Sequence, residues 1–430
     1  MVELLIAQLA AVMLGHVGQS EAHIWVQSDG PVPAKVAYWP QGKPEQKRVS
    51  DTVNLSQKSF LAHTFKLKDL QPAQQYRYEV LFEQPEAAQP TASRKLSFMT
   101  KAPDSSALRP LHFLVGSCFY LDDPVMKWFN FSYGSGPEIF ETMAKEQAEA
   151  MFWTGDNVYF APFDLSSAYN MNKRYEKHRH LPQLKNFWTK MPHYATWDDH
   201  DFGPNNASRK FKNADASALL FKSYWANPRF GGLTQPGIFF QQQWQDVAFF
   251  VTDNRTYRDP NIFPDPNTRR YFGQGQLDWL KNALLGSQAT FKIVIMSSPV
   301  FNRYYTESFI QATGEFENFM SFLKEQKIEG VVFVSGDRHH SDLARYERPG
   351  LYPLYNYVNS PLTSTPTKIL SEAEASDDWR VPGSLFQQRN YGKLRVEGPS
   401  GNRVLHLDTL DAEGKRLWTY KISEHELKHR

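Results

Sequence analysis

The sequence predicts a small all-β sandwich followed by a larger α/β domain. Between Ala22 and Thr100, short alternating segments are set off by clusters of turn-forming residues, the pattern of an antiparallel sandwich. Beyond Pro110 the period changes, and apolar strand-like runs alternate with helical patterns, as in an α/β architecture. At 430 residues the chain exceeds one ordinary domain, so two folding units of unequal size are expected, each able to bury its own core. The boundary falls in Lys101–Pro110, which carries two prolines and two serines, giving residues 1–104 and 105–430.

In the first unit the strand segments are His23–Val26, Lys35–Trp39, Ala62–Leu67 and Tyr76–Phe82. Ser28-Asp29-Gly30-Pro31 and the group Pro40, Gly42, Pro44 supply turns between them. Leu67, Leu70, Pro72 and Tyr76 are spaced as in the corner of fibronectin type III domains, which this stretch resembles, and a fibronectin III or immunoglobulin-like module is implied. Met1–Leu14 is apolar, yet it carries Glu3 and has no Lys or Arg before its short hydrophobic run. It therefore reads as the entry into the first domain, with Met1 standing in place of a removed leader, rather than as a signal peptide.

In the second unit each buried run ends in polar or metal-capable residues. Leu111–Val115 leads into Gly116-Ser117-Cys118, Ala150–Trp153 into Thr154-Gly155-Asp156, and His193–Trp197 into Asp198-Asp199-His200. Phe291–Met296 leads into Ser297-Ser298, and Val331–Val334 into Ser335-Gly336-Asp337. Open α/β sheets bind ligands outside the carboxyl ends of their strands, so these endings are expected to face one crevice. Helical patterns lie at Glu138–Glu149, Ala214–Trp225, Gly275–Leu284 and Glu315–Glu325. The tail Tyr391–Ile422 returns to alternating strands with a turn at Asp411–Gly414.

Composition excludes several functions. Hydrophobic residues at 41% and charged residues at 22% exclude a disordered chain. A formal net charge of +2 with no concentrated basic stretch leaves out the electrostatic footprint of a nucleic-acid binder, so a small partner is expected. One cysteine rules out an intrachain disulfide framework, and no run of about 20 apolar residues offers a membrane span. Oligomeric state is not written in the sequence.

The chemistry concentrates in short blocks. Gly155-Asp156-Asn157-Val158-Tyr159 places a carboxylate directly after a strand and a phenol three residues on; a carboxylate there can bridge two cations, although Asp at a strand end is also a common helix cap. Trp197-Asp198-Asp199-His200-Asp201 packs three carboxylates and an imidazole together, and adjacent carboxylates repel unless cations or hydrogen bonds compensate them. Gly336-Asp337-Arg338-His339-His340 also follows an apolar strand, with Asp337 and His339 able to project to one side and one histidine left to structure. Cys118 alone reads as a small buried hydrophobe, but its strand-end position matches those of Asp156 and Asp337.

Together the blocks resemble the metallophosphoesterase superfamily, and within it the alkaline phosphatase D, or PhoD-like, family. That family shows S-C, G-D-x-x-Y, W-D-D-H and G-D-x-H, present here as Ser117-Cys118, Gly155-Asp156 with Tyr159, Trp197–His200, and Gly336-Asp337 with His339. The resemblance extends to Gly15-His16-Val17 with Ala22–Val26 and to Asp253-Asn254-Arg255-Thr256-Tyr257-Arg258, and so covers nearly the whole chain. It implies a metallophosphoesterase-type α/β/β/α sandwich behind the small β module. It also implies iron(III) held by Cys118, Asp156, Tyr159 and His339, with Asp156 bridging to a second site completed by Asp199 and Asp337. An all-oxygen second site suits calcium better than zinc, with other divalent metals possible.

The implied reaction is hydrolysis of phosphomonoesters or phosphodiesters, in which a hydroxide held between two cations attacks phosphorus. By analogy His200 protonates the leaving group and Asp201 orients His200, while Asn205 or Asn206 contacts phosphate. Arg338 stabilises transition-state charge, or else serves as a structural ion pair. A phospholipase D type of lipid phosphodiesterase is an alternative, and so is a binding protein in which metals only hold the fold. Specificity is assigned to the segments Leu121–Pro137, Phe160–Leu184 and Ser360–Gln388, and the resemblance implies an enzyme that works outside the cytoplasm.

Overall fold

The computed structural model of the protein describes residues 9–83, 91–92, 95–122, 133–232, 235–367 and 371–429. The β module comprises β1 (Leu9–Val17), β2 (Ala22–Ser28), β3 (Val32–Pro40), β4 (Arg48–Val49), β5 (Val53–Leu55), β6 (Ala62–Leu67), β7 (Gln75–Phe82), β8 (Thr91–Ala92) and β9 (Leu96–Met99). One sheet runs β1-β2-β6; the other is built on β3 and β7, with β4 and β5 beside β3 and β8 and β9 beside β7. Inward-facing residues such as Leu14, Ile24, Val36, Phe65, Tyr78 and Val80 form a core between the two sheets. The sandwich thus begins at Leu9, ahead of the first strand read from sequence, while Met1–Gln8 lies outside the described residues. The fibronectin-like spacing has a physical counterpart: the Tyr76 hydroxyl turns back to accept a hydrogen bond from the Gln71 backbone N–H at 3.0 Å, the arrangement of a tyrosine corner.

The α/β unit comprises β10 (Leu111–Gly116), β11 (Ala150–Thr154), β12 (His193–Thr196), β13 (Phe240–Trp244), β14 (Val247–Val251), β15 (Phe291–Ile295), β16 (Val331–Ser335), β17 (Asp342–Tyr346), β18 (Leu354–Val358), β19 (Asn390–Glu397), β20 (Val404–Asp411) and β21 (Arg416–Ser423). They form two mixed sheets, ordered β12-β11-β10-β19-β20-β21 and β13-β14-β15-β16-β18-β17. Within them β10, β11 and β12 are parallel, as are β14, β15, β16 and β18, so their carboxyl ends open on one side. The sheets pack face to face through aromatics, with Phe249 stacked on Phe152 at 4.1 Å and edge-on to Phe113 at 4.6 Å.

Of the helices expected from sequence, three form at Ala214–Tyr224, Gln274–Leu285 and Thr313–Glu325. The fourth is cut to Ile139–Met143, because by Glu149 the backbone N–H already bonds the His112 carbonyl at 2.7 Å and the chain is extended into β11. A helix at Ala168–Arg179 was not legible, since its sequence is mostly polar and leaves only a weak apolar period.

The β module docks on this unit through β1 and β2. The His16 N–H bonds the Ala226 carbonyl at 2.8 Å, and Trp25 Nε1 donates to the Ser223 carbonyl at 2.7 Å. Between them the buried guanidinium of Arg179 lies over Trp188 at 4.4 Å and Trp225 at 4.2 Å, with Trp25 of the β module at 5.5 Å. The Gly15-His16-Val17 block is therefore interface, which locates that part of the family resemblance in docking rather than chemistry. No helix among the described residues is long and apolar enough to cross a membrane.

Candidate metal centre

The strand endings that the sequence singles out meet at the common carboxyl-end crevice. Asp156 follows β11, Asp198 and Asp199 follow β12, and Asp337 follows β16, while Cys118 follows β10 two residues past its end. Cys118 Sγ lies 3.7 Å from Asp156 Oδ2, to which the Tyr159 hydroxyl donates at 2.9 Å; that hydroxyl is also 3.2 Å from His339 Nε2. Ligand atoms of Cys118, Asp156 and His339 lie within 4.8 Å of one another, as do those of Asp156, Asp199 and His200, and those of Asp198, Asp199 and Asp337. Asp156 belongs to the first two groups and Asp199 to the last two, the sharing that bridged cations require.

The backbone is bent to achieve this. Cys118, Asp156, Asp337 and His339 all have positive φ, between 53° and 74°, a conformation that costs non-glycine residues free energy and persists where the surroundings enforce it. Gly155, at φ +97°, is required for closeness as well: a Cβ there would lie 2.8 Å from Asp198 Cβ and 2.9 Å from Ser297 Cβ.

Without cations the cluster is electrostatically unsettled. Burial pushes the carboxyls of Asp156 and Asp337 well above the ordinary carboxylate range, and neighbouring carboxylates add to the shift. Burial likewise raises the Cys118 thiol and the Tyr159 phenol, and it lowers His339 to about 4. One oxygen each of Asp199 and Asp337 is buried with no hydrogen-bond partner. Orphaned acceptors beside crowded acids are what a cation compensates, so the donor set fits metal ions: sulfur, imidazole and carboxylate in the first group, carboxylates with the His200 imidazole in the second, and oxygens alone in the third. The His339 tautomer fits too. Its Nδ1 lies 3.0 Å from the Thr365 carbonyl, which can only accept, so Nδ1 carries the proton and Nε2 is left to bind a cation.

Other predicted residues fall differently. His200 is stacked on Tyr159 and its backbone N–H donates to Asp156 Oδ1 at 3.3 Å. Asp201 does not reach its ring. Oδ1 accepts from the Asn157 N–H at 2.9 Å and from Asn157 Nδ2 at 3.0 Å, and Oδ2 accepts from the Asp198 N–H at 3.0 Å. These bonds cap the short helix Asp199–Phe202, in place of the contact with the His200 ring that an orienting role calls for. Burial raises its carboxyl to about 8. Asn205 and Asn206 are exposed, and Asn206 meets the cluster through its backbone, donating to Asp199 Oδ2 at 2.6 Å. Arg338 pairs with Glu374 at 2.5 Å and lies over the Tyr305 ring at 4.1 Å, so its charge is largely committed. His340 is buried 3.6 Å from Asp342, whereas His339 is the histidine that reaches Tyr159.

Sequence reasoning left Arg255 without a role. It is fully buried and pairs with Asp198 and with Glu307, while Nη2 stands 3.8 Å from Asp199 Oδ1. Its block of Asp253–Arg258 was visible in the resemblance, but its partner Glu307 carries no local signal. Ser364 and Thr365, which touch Tyr159 and His339, are equally silent in sequence.

Comparison with known proteins bears on the family and the fold. The profile of the PhoD-like phosphatase family matches residues 128–381, and a profile described as a domain of unknown function (DUF7800) matches residues 9–100. Alkaline phosphatase D of Bacillus subtilis (strain 168) is 23% identical over 253 residues, 47% of this chain; the match spans 43% of that relative's length, less than half. The structure of PhoD superposes with a TM-score of 0.77 at 16% identity, covering 98% of this chain and 91% of the other. Purple acid phosphatase PPD1 from yellow lupin (Lupinus luteus) seeds gives 0.69 at 11% identity, covering 96% and 74%. The α/β unit thus has the metallophosphoesterase-type fold, preceded by the all-β module.

Proposed function

The chain belongs to the PhoD-like phosphatase family, and from that premise we propose that it hydrolyses phosphomonoesters or phosphodiesters with the help of metal ions bound by Cys118, Asp156, Tyr159, Asp199, Asp337 and His339. The observation that carries the reading is the pair of buried, unpartnered oxygens of Asp199 and Asp337 beside a carboxylate, Asp156, that belongs to two ligand groups. We assign iron(III) to Cys118, Asp156, Tyr159 and His339 and calcium to Asp156, Asp199 and Asp337, on donor softness. Bound cations supply charge neutralisation and an activated water at neutral pH.

The protein's own residues do the rest. His200, its side chain about a quarter exposed at 24%, is the group placed to deliver a proton to the leaving oxygen. Tyr159 keeps that imidazole in place by stacking, and the Asp156 carboxylate fixes its backbone. The Asn206 backbone N–H holds Asp199 Oδ2, and the Arg255 guanidinium stands 3.8 Å from Oδ1, beyond hydrogen-bond reach. We take residues 1–104 as a docking module and residues 105–430 as the catalytic unit. We also propose that the protein acts outside the cytoplasm, where calcium is plentiful enough to fill even a weak oxygen-only site.

Elemental analysis of protein purified without chelator, beside a panel of mono-, di- and lipid phosphoesters, tests the reading. We expect bound iron and calcium, and hydrolysis that is lost on chelation and in Asp156→Ala. Cys118→Ser with unchanged metal content and activity would overturn the ligand assignment, and metal-replete protein inert to every ester would overturn the function.

A further inference from the structure

Residues 133–135 are laid against residues 363–365 as a short antiparallel ribbon at the edge of the metal centre. The Thr365 N–H and Oγ1 both donate to the Tyr133 carbonyl at 2.7 Å, Gly134 bridges Ser364, and the Ser135 N–H donates to the Thr363 carbonyl at 2.8 Å. The Tyr133 and Gly134 N–H groups are taken by Asp122 Oδ1 at 3.0 and 2.8 Å. The other strand of the ribbon is tied to the metal-side residues: Ser364 Oγ donates to the Cys118 carbonyl at 3.0 Å, and the Thr365 carbonyl holds His339. Gly134 has to be glycine, because a Cβ would lie 2.7 Å from the Tyr120 ring.

This construction fixes one large aromatic side chain that is left open. Tyr133 is 48% exposed, although its backbone is fully bonded and its hydroxyl lies 3.3 Å from His339 Nδ1. Its ring stands edge-on to Tyr120 at 5.4 Å, Tyr120 stands edge-on to Tyr159 at 5.2 Å, and Tyr159 stacks on His200 at 4.3 Å. A continuous series of rings therefore leads from the imidazole beside the reacting centre to an open aromatic face. Fold stability does not call for such a face; an exposed ring that is rigidly held binds with little ordering cost.

We propose that Tyr133, backed by Tyr120, is a stacking wall that selects phosphoesters carrying a planar aromatic group, such as an aryl or nucleobase-bearing ester, over purely alkyl ones. The proposal rests on the metal-dependent hydrolysis put forward above, and it adds the class of substrate. The test uses two non-hydrolysable probes, phenylphosphonate and methylphosphonate, bound to metal-replete full-length protein and followed by calorimetry. The Tyr133→Ala variant is expected to lower the phenyl-to-methyl affinity ratio about tenfold, the size of one good aromatic stack. Tyr133→Phe is expected to keep the ratio within about twofold. Tyr133→Leu, which preserves bulk, serves if the alanine variant loses metal by elemental analysis, and is expected to fall with alanine.

An unchanged ratio in the alanine or leucine variant, an equal loss for both probes, or a phenylalanine variant as poor as alanine would each overturn the wall. The ratio of kcat/KM for phenyl phosphate over glycerol phosphate should fall in parallel, since leaving-group acidity is the same for both proteins and cancels. Wild-type protein that hydrolyses none of the mono-, di- and lipid phosphoesters while retaining the phosphonate preference would sink the hydrolase reading and leave the wall standing.

Discussion

Tyr159 and His200 lie ring on ring, with centroids 4.3 Å apart and planes 29° from parallel, while the Tyr159 hydroxyl reaches Asp156 and His339. One phenol thus joins the candidate metal side to the candidate proton donor: its oxygen is spent on the ligands and its face on the imidazole. The two duties use different parts of the side chain and can be separated.

Tyr159→Phe keeps the face and loses the oxygen, whereas Tyr159→Leu loses both. We expect iron content to fall in both variants, measured by elemental analysis. With metal supplied in excess, the leucine variant should show a kcat about tenfold below that of the phenylalanine variant, because His200 is no longer held at the leaving group. Equal kcat values in the two would show that stacking does not position His200.

Arg255 is the buried counter-charge of the centre. Burial pushes the Asp198 carboxyl to about 6 even with Arg255 pulling it down. At Glu307 burial again works upward, but the guanidinium groups of Arg255 and Arg258 outweigh it and hold the carboxyl well below its ordinary range. Arg255→Met would leave the buried Asp198 without its guanidinium and Glu307 with Arg258 as its remaining cation, a loss of about 3–5 kcal/mol. The expected result is a clear drop in Tm together with weaker calcium retention through Asp199, read by thermal denaturation and metal analysis. A variant with wild-type Tm and calcium content would remove Arg255 from the centre.

How far the sequence reaches is shown by the same residues. Cys118, Asp156, Asp199 and Asp337 could be read because each follows an apolar run, and a parallel sheet brings the ends of such runs together. The pairing of Asp198 with Arg255 could not, because Arg255 arrives from the end of β14. The hydrogen bonds of Asp201 are hidden from sequence for a local reason: the distance from an acid to its neighbouring histidine says nothing about which backbone N–H groups a new helix turn leaves unsatisfied. The left-handed backbone at Cys118, Asp156, Asp337 and His339 is likewise enforced by packing and leaves no compositional trace. The ribbon of residues 133–135 and 363–365 joins two stretches that sequence marks only as specificity segments.

A pH dependence follows from His193, which is fully buried at the start of β12, remote from the cluster at the strand's other end. Its Nδ1 accepts from Trp153 Nε1 at 3.0 Å and its Nε2 lies 2.9 Å from the Phe187 carbonyl, so the ring is satisfied as the neutral tautomer protonated on Nε2. A second proton has no acceptor, and burial lowers the group to about 3 from an ordinary 6.5. The unfolded chain therefore binds this proton first as pH falls. The stability associated with His193 is complete above about pH 6.5, and is lost progressively down to about pH 3, by an amount on the order of a few kcal/mol. Tm should fall across that window, and calorimetry near pH 5 should record proton uptake on unfolding. His193→Gln, which cannot titrate, should be less stable than wild type at pH 8, yet take up about one proton fewer on unfolding at pH 5. Identical proton uptake in wild type and variant would mean that His193 does not carry the acid sensitivity.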